Sequence, residues 1–351
     1  MSVGSSLWNL PSRFCPPTPP WLGRGSRGAA LPRRAGGTGG GVGPPSLSPA
    51  FPFVPAPQLW TGRCWELLVR VLPTVPGQPS MATQMFEGRQ HAVVYQKYRF
   101  APGKELQQAI LSYLQEKKVI PAELAVDVGC GSGQGTHFLG EHFKKVVGTD
   151  ISEAQIQEAR DTPCMPNISY LVCPAEELPF QDASVDVLTS FTAAHWFDIA
   201  KFMREAERVV KPGGCVALST YTVDMSLRYG DCSEKLTKIF RECWDTILKY
   251  AHNRLKYVLE DYKEIFEALP FPDKKRITDI YDQIPMTVEG VVGYMESASP
   301  YQTFMKNDPK AATSLLQETE KRMLETMGVS SRETPVEFWV RHVCVLGCKG
   351  C

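Results

Sequence analysis

The chain is predicted to fold as an α/β protein: a doubly wound, mostly parallel sheet with a mainly helical carboxy-terminal insertion that caps it. Three observations carry this expectation. From residue 104 to 224, apolar strand-like runs alternate with segments of helical period, the pattern of βαβ units. The first such run, "LAVDV", leads into "GCGSGQG", with glycine at every second position from 129 to 135. After residue 225 the alternation stops and helical periodicity dominates until "VEFWVRHVCVLGC", which alternates enough to be a strand.

The elements follow in order. "KELQQAILSYLQEKK" places Leu106, Ile110, Leu111 and Leu114 on one helical face. "ELAVDVG" reads as a buried strand, "GTHFLGEHF" as a short helix and "KVVGTD" as a second strand. Ser152 opens the helix "SEAQIQEAR" as its N-cap. "ISYLVCP" and "SVDVLTSFT" are the third and fourth strands. "IAKFMREAERVV" is a helix, "KPGG" a turn and "CVALSTY" the fifth strand. Residues 233–269 and the segments "MTVEGVVGYMESAS" and "KAATSLLQETEKRMLETMG" read as helices.

Composition separates an amino-terminal stretch from the rest. Residues 1–80 hold seven Arg, no Lys and one acid, Glu66, together with 15 of the 28 prolines and 12 of the 28 glycines. Such a segment cannot bury enough apolar surface to offset chain entropy, so disorder is expected. It reads as an unfolded extension ahead of a working start at Met81, as a targeting segment, or as a disordered region of another role. Its Arg-rich, acid-poor bias suits a mitochondrial transit segment, but its prolines would break the amphipathic helix that such a signal needs. The expected organisation is an extension at 1–80, a cofactor-binding core at 81–224, a helical substrate cap at 225–330 and a terminal strand at 331–351.

Charge and cysteines narrow the function classes. The whole chain has 38 basic and 38 acidic residues, and with +6 in the first 80 the remainder carries −6. That balance disfavours a nucleic-acid partner, which needs clustered Lys and Arg. No run reaches the roughly 20 apolar residues of a membrane span, so no membrane partner is expected. Eleven scattered cysteines without a secretory signal suit a reduced, cytoplasmic setting. Cys344, Cys348 and Cys351 lie close together, but with one CxxC and no fourth ligand no metal is expected.

The glycines at 129, 131, 133 and 135 exclude two cofactor classes. A dinucleotide turn needs a third glycine three residues after the second; Gln134 or Thr136 stands there in the two available registers. A phosphate loop needs GK[ST], which does not follow. What remains is D-x-G-x-G-x-G behind a strand, headed by Asp127, where a ligand can lie directly on backbone. Asp150 ends the second strand, 21 residues after Gly129. A carboxylate there suits the two hydroxyls of a ribose; capping of the next helix is the alternative. Ala175 and Glu176 follow the third strand, within reach of an adenine edge.

Residues 124–135, 146–152, 175–180, 184–197 and "REAERVVKPGG" at 204–214 together resemble, in order and spacing, the class I S-adenosylmethionine-dependent methyltransferases, whose fold is Rossmann-like. "YQKYRFAP" and "AAHWFD" resemble the small-molecule branch that includes trans-aconitate methyltransferase. The resemblance implies S-adenosylmethionine as cofactor and a site built from specific residues. Gly129, Gly131 and Gly133 would meet the methionyl part and ribose, with Asp127 near the amino group. Asp150, with Ile151 beside it, would hold the ribose hydroxyls, and Ala175 with Glu176 would face the adenine. Ser190 and Phe191 would line the methyl-transfer mouth.

An activated methyl group asks mainly for alignment and exclusion of water. His195 is either a general base or a packing residue that orients the pocket. Trp196 is either a pocket wall or core. Arg99, with Tyr95 four residues before it, either closes over cofactor or substrate, clamps an acidic substrate, or is a solvated charge. The [DN]-P-P-[YF] segment of amine methylation is replaced by "SFTAAHW". The sequence therefore points to methyl transfer to a small molecule such as a carboxylate. The alternatives are a protein acceptor, less readily RNA, or a cofactor-binding regulator without turnover.

Overall fold

The computed structural model describes residues 88–350, and the expectations for 1–80 lie outside them. Seven strands form one sheet: β1 (Ala122–Val128), β2 (Phe143–Asp150), β3 (Ile168–Val172), β4 (Val185–Phe191), β5 (Val210–Arg228), β6 (Asp273–Thr287) and β7 (Pro335–Cys348). Their order is β3-β2-β1-β4-β5-β7-β6. The first five pair in parallel, and β7 runs antiparallel between β5 and β6. The order reverses at β1, which places the glycine turn at the carboxyl edge where the sheet changes direction, the place where such sheets bind ligands.

Strand periodicity sorts the core onto two faces. Val126 and Val128 of β1 pack with Phe202, Ala206 and Val209 of α5 (Ile199–Val209). Ala125, one residue before Val126, packs on the other face with Leu106, Ile110 and Leu114 of α2 (Lys104–Glu116). Ahead of α2 lies α1 (Arg89–Tyr98), and β1 leads through the glycine turn into α3 (Thr136–Leu139). After β2 comes α4 (Glu153–Asp161), whose first turn is capped as expected: Gln155 N donates to Ser152 Oγ at 3.3 Å.

Beyond the parallel sheet, β5, β7 and β6 continue as a three-stranded antiparallel extension, past a register shift between Tyr221 and Met225 of β5. The helices that follow are α6 (Ser233–Leu248), α7 (Lys256–Leu259), α8 (Lys263–Ala268), α9 (Val288–Glu296), α10 (Ser299–Asn307) and α11 (Pro309–Met327). A separate apolar core joins this cap to the extension, with Phe240 and Trp244 of α6, Tyr294 of α9, Met323 of α11 and Phe338 of β7 at its centre. Strand β6 falls within 225–330, which the sequence reads as helical. It is the outer strand of its edge, so "DKKRITDIYDQIPMT" is largely polar and tolerates Pro285, and its alternation is masked. Among the described residues no helix is long and apolar enough to cross a membrane.

Candidate functional site

The glycine turn adopts the backbone that its sequence demands. Gly129, Gly131 and Gly133 have φ of +69°, +54° and +94°, a region that L side chains rarely enter. Contact reinforces the requirement at two of them: a Cβ on Gly129 would lie 2.5 Å from Ala193 Cβ, and one on Gly133 2.5 Å from the Tyr170 hydroxyl.

Asp127 lies beneath the turn with its side chain fully buried. Its two oxygens accept from Thr136 Oγ1 at 2.6 Å and Thr189 Oγ1 at 2.9 Å, tying the start of α3 to β4. Burial pushes this carboxyl up to about 6, against the two hydroxyl bonds. A raised folded-state value means stability fully present below about 3.8 and lost as pH rises through about 6, a cost of about 3 kcal/mol at neutral pH. The uncharged Asp127→Asn variant lacks this titration. Its stability relative to the native chain is therefore expected to improve by about 3 kcal/mol between pH 4 and pH 7.5. Urea unfolding at both pH values reads the difference; a gap that ignores pH would show that Asp127 ionises freely in the fold.

Asp150 ends β2, half-buried, beside the half-buried Ile151. Its carboxylate accepts from Gly131 N and from Ser152 N, both at 2.9 Å, and burial raises its pKa. It thus braces the turn while also supporting the next helix. Ala175 is buried, and Glu176 accepts from Asp198 N at 2.7 Å, linking the loop after β3 to the N-terminus of α5. Ser190 is fully buried and its Oγ has no hydrogen-bond partner among the described residues. Phe191, expected at the methyl-transfer mouth, packs instead on Gly135 and, at 5.6 Å, on Phe138, on the α2 side of the sheet.

The remaining expected residues converge. Tyr95, Arg99, His195 and Trp196 line one cleft of about 700 Å³, open mouth included, above the carboxyl ends of β4 and β5 and under the cap. The Arg99 guanidinium lies over the rings of Tyr294, Tyr95 and Tyr221, at 4.7, 4.9 and 5.6 Å from their centroids. Its Nε donates to Ser297 Oγ at 2.8 Å. No carboxylate among the described residues lies within 4.0 Å of it. Tyr95 also approaches the turn, 3.7 Å from where a Gly131 Cβ would stand.

His195 sits in a 3-10 turn, Ala194–Trp196, and is buried. Its Nδ1 is 2.8 Å from the Tyr262 hydroxyl. Burial, then the charge of Arg254, lowers its pKa to about 3, so the ring is neutral at physiological pH. Arg254 also donates to the carbonyl of Phe197, fastening the cap to this turn. The Trp196 ring stands 5.0 Å from that of His195.

Two residues escape sequence reading. Tyr262, fully buried, holds His195 from a backbone with φ of +55°, an unfavourable conformation for a bulky residue. Gln155 is buried with neither amide atom partnered among the described residues, and its Oε1 lies 3.8 Å from where a Gly131 Cβ would stand. Neither carries a motif; Tyr262 reaches His195 across 67 positions of sequence. The unpartnered Gln155 amide and Ser190 hydroxyl, with the side-chain-free turn, fit a polar adenosyl cofactor lying on the backbone.

Residues 126–218 match the family model described as a methyltransferase domain. A Dictyostelium discoideum protein named as a methyltransferase is 29% identical over 246 residues, 70% of this chain and 88% of its own. A Mycolicibacterium smegmatis protein named as an S-adenosylmethionine-dependent methyltransferase is 32% identical over 150 residues, 42% of this chain and 49% of its own. A solved structure from Anaeromyxobacter dehalogenans, named as a type II methyltransferase, superposes with a TM-score of 0.56 at 26% identity, covering 72% of this chain and 98% of that one. With the fold and the turn, these support an S-adenosylmethionine-dependent methyltransferase.

Proposed function

We propose that this S-adenosylmethionine-dependent methyltransferase acts on a small molecule through a carboxylate oxygen. The observation that carries the reading is Arg99, a guanidinium caged by three tyrosine rings, without an acidic partner among the described residues, in a cleft beside the glycine turn. Such a group is a ready receptor for a planar carboxylate, with two NH2 groups free of the bond to Ser297. The segments that resemble the small-molecule branch, "YQKYRFAP" and "AAHWFD", supply Tyr95, Arg99, His195 and Trp196 to this one cleft.

On this reading the turn glycines receive the methionyl and ribose parts of the donor. Asp150 takes the ribose hydroxyls, and Ala175 with Glu176 meets the adenine. The Gln155 amide and Ser190 hydroxyl add hydrogen bonds that no protein group takes. The donor supplies a methyl group already activated on positive sulfur: the acceptor oxygen gains it, the carbon–sulfur electron pair stays with sulfur, and no proton is released. A carboxylate therefore needs no base, which suits a histidine held near pKa 3 by burial. His195 then orients the acceptor, and Tyr262 and Arg254 hold its turn.

Asp150→Ala is expected to weaken binding of S-adenosylhomocysteine by about 10- to 30-fold, the size of a lost charge-assisted pair. An unchanged dissociation constant by calorimetry would restrict Asp150 to bracing Gly131 and Ser152. For the reaction itself, label from the methyl donor should appear in base-labile methyl esters of added carboxylic acids, at a rate flat between pH 7 and 9. Label in amines or hydroxyl groups, with a rate that climbs with pH, would refute the carboxylate reading.

A further inference from the structure

Arg99 is the single formally charged side chain that lines the cleft among the described residues. Burial lowers the pKa of both lining histidines, His195 and His252, so neither adds charge at neutral pH. Away from Arg99 the wall is mostly apolar and aromatic. Val223 and Met225 come from the β5 extension, Trp244 and Leu248 from α6, and Leu255 and Val258 from the following turn and α7. Met225, Trp244 and Val258 are buried members of the two apolar cores that meet there. The polar groups set into this wall are neutral: Thr192, Thr220, Thr222 and Ser299 contribute hydroxyls, and Trp244 Nε1 is buried with no hydrogen-bond partner among the described residues.

Charge complementarity limits the acceptor. One guanidinium matches one carboxylate. A second or third carboxylate on the same molecule would lie against Leu, Met, Val and Trp, desolvated with no cation to offset it. Neutral donors such as an indole N–H suit the other oxygen of that carboxylate, or a carbonyl or hydroxyl, better than another full charge.

We infer that the acceptor is an amphipathic monocarboxylic acid, its single carboxylate on Arg99 beside the glycine turn and its apolar body along the wall of α6, α7 and the β5 extension. The inference rests on the carboxylate reading above and narrows it, setting aside compact di- and tricarboxylates.

The test is a homologous series of straight-chain monocarboxylic acids, with short di- and tricarboxylic acids beside it. Each is assayed for methyl ester formation from labelled S-adenosylmethionine by the full chain. Each added methylene that enters the wall is expected to raise kcat/KM by about fourfold, until the cleft is filled, while the polyacids stay near background. Leu248→Asn should flatten this chain-length slope and leave the affinity for S-adenosylhomocysteine unchanged. If short polyacids exceed every monoacid, the amphipathic assignment falls and the carboxylate reading survives. If no acid is methylated while S-adenosylhomocysteine still binds, both fall. A slope equally steep in the Leu248→Asn protein would remove the wall from the account.

Discussion

Gly133→Val is expected to reduce affinity for S-adenosylhomocysteine by more than 100-fold and to destabilise the fold by about 2–4 kcal/mol, the sum of a left-handed backbone forced on a β-branched residue and a steric clash. The residue has φ of +94°, and a Cβ would stand 2.5 Å from the Tyr170 hydroxyl. That ring cannot retreat easily: it is buried on β3 and also fills the space above Gly148, where a Cβ would meet it at 2.7 Å. The turn must therefore give way. Gly133 N donates to Cys130 O, and its own carbonyl accepts from Thr136 N and His137 N, so displacement moves the whole loop and the start of α3. Gly328 supplies the control, with φ of +67° and open space around its would-be Cβ. Gly328→Ala should cost about 1 kcal/mol of strain and leave ligand affinity alone. Calorimetric titration of both variants, with circular dichroism to confirm folding, decides the matter. A folded Gly133→Val protein binding within threefold of the native chain would show that the turn is not the ligand's floor.

Different parts of the molecule are legible in sequence to different depths. The interior strands β1, β2 and β4 are short apolar runs because both sheet faces are covered, and a glycine follows β1 while an acid ends β2. The turn is legible because three positive φ values leave few residues but glycine. Strand β6 is not: it pairs on one side only, and a polar edge strand looks like a loop or helix flank. Position alone also underdetermines where a side chain points. Asp127 heads the glycine motif, but its oxygens are spent on Thr136 and Thr189 inside the fold. Phe191 ends β4, but it covers Gly135 instead of lining the cleft.

The choice between base and orienting residue at His195 also depends on contacts that local sequence does not show. The imidazole is buried, held by Tyr262 and lowered further by Arg254, and both partners lie in the cap about 60 positions later in the chain. A histidine after strand four has the same local sequence whether it titrates near 6.5 or near 3. Only the closure of the cap over it makes the difference, by removing the water that would solvate its charged form.

Arg99→Gln is expected to lower kcat/KM for a carboxylate acceptor by about 100-fold, close to 3 kcal/mol, the upper range for a charge-assisted bidentate pair in a partly desolvated site. The arginine is positioned before any ligand arrives. Ser297 Oγ fixes Nε, and the three tyrosine rings supply attraction of about 0.5–2 kcal/mol without neutralising the charge. A cation stabilised by quadrupoles keeps its capacity for an anion, whereas one paired with an aspartate has spent it. Arg99→Lys retains the charge but loses the planar fork and much of the stacking, so a loss of about tenfold is expected there. Both variants should bind S-adenosylhomocysteine within threefold of the native chain, because the expected contact is to the acceptor. If cofactor affinity falls and acceptor KM does not, Arg99 closes over the donor and the carboxylate reading loses its main support. If neither moves, the aromatic cage is packing around a solvated charge.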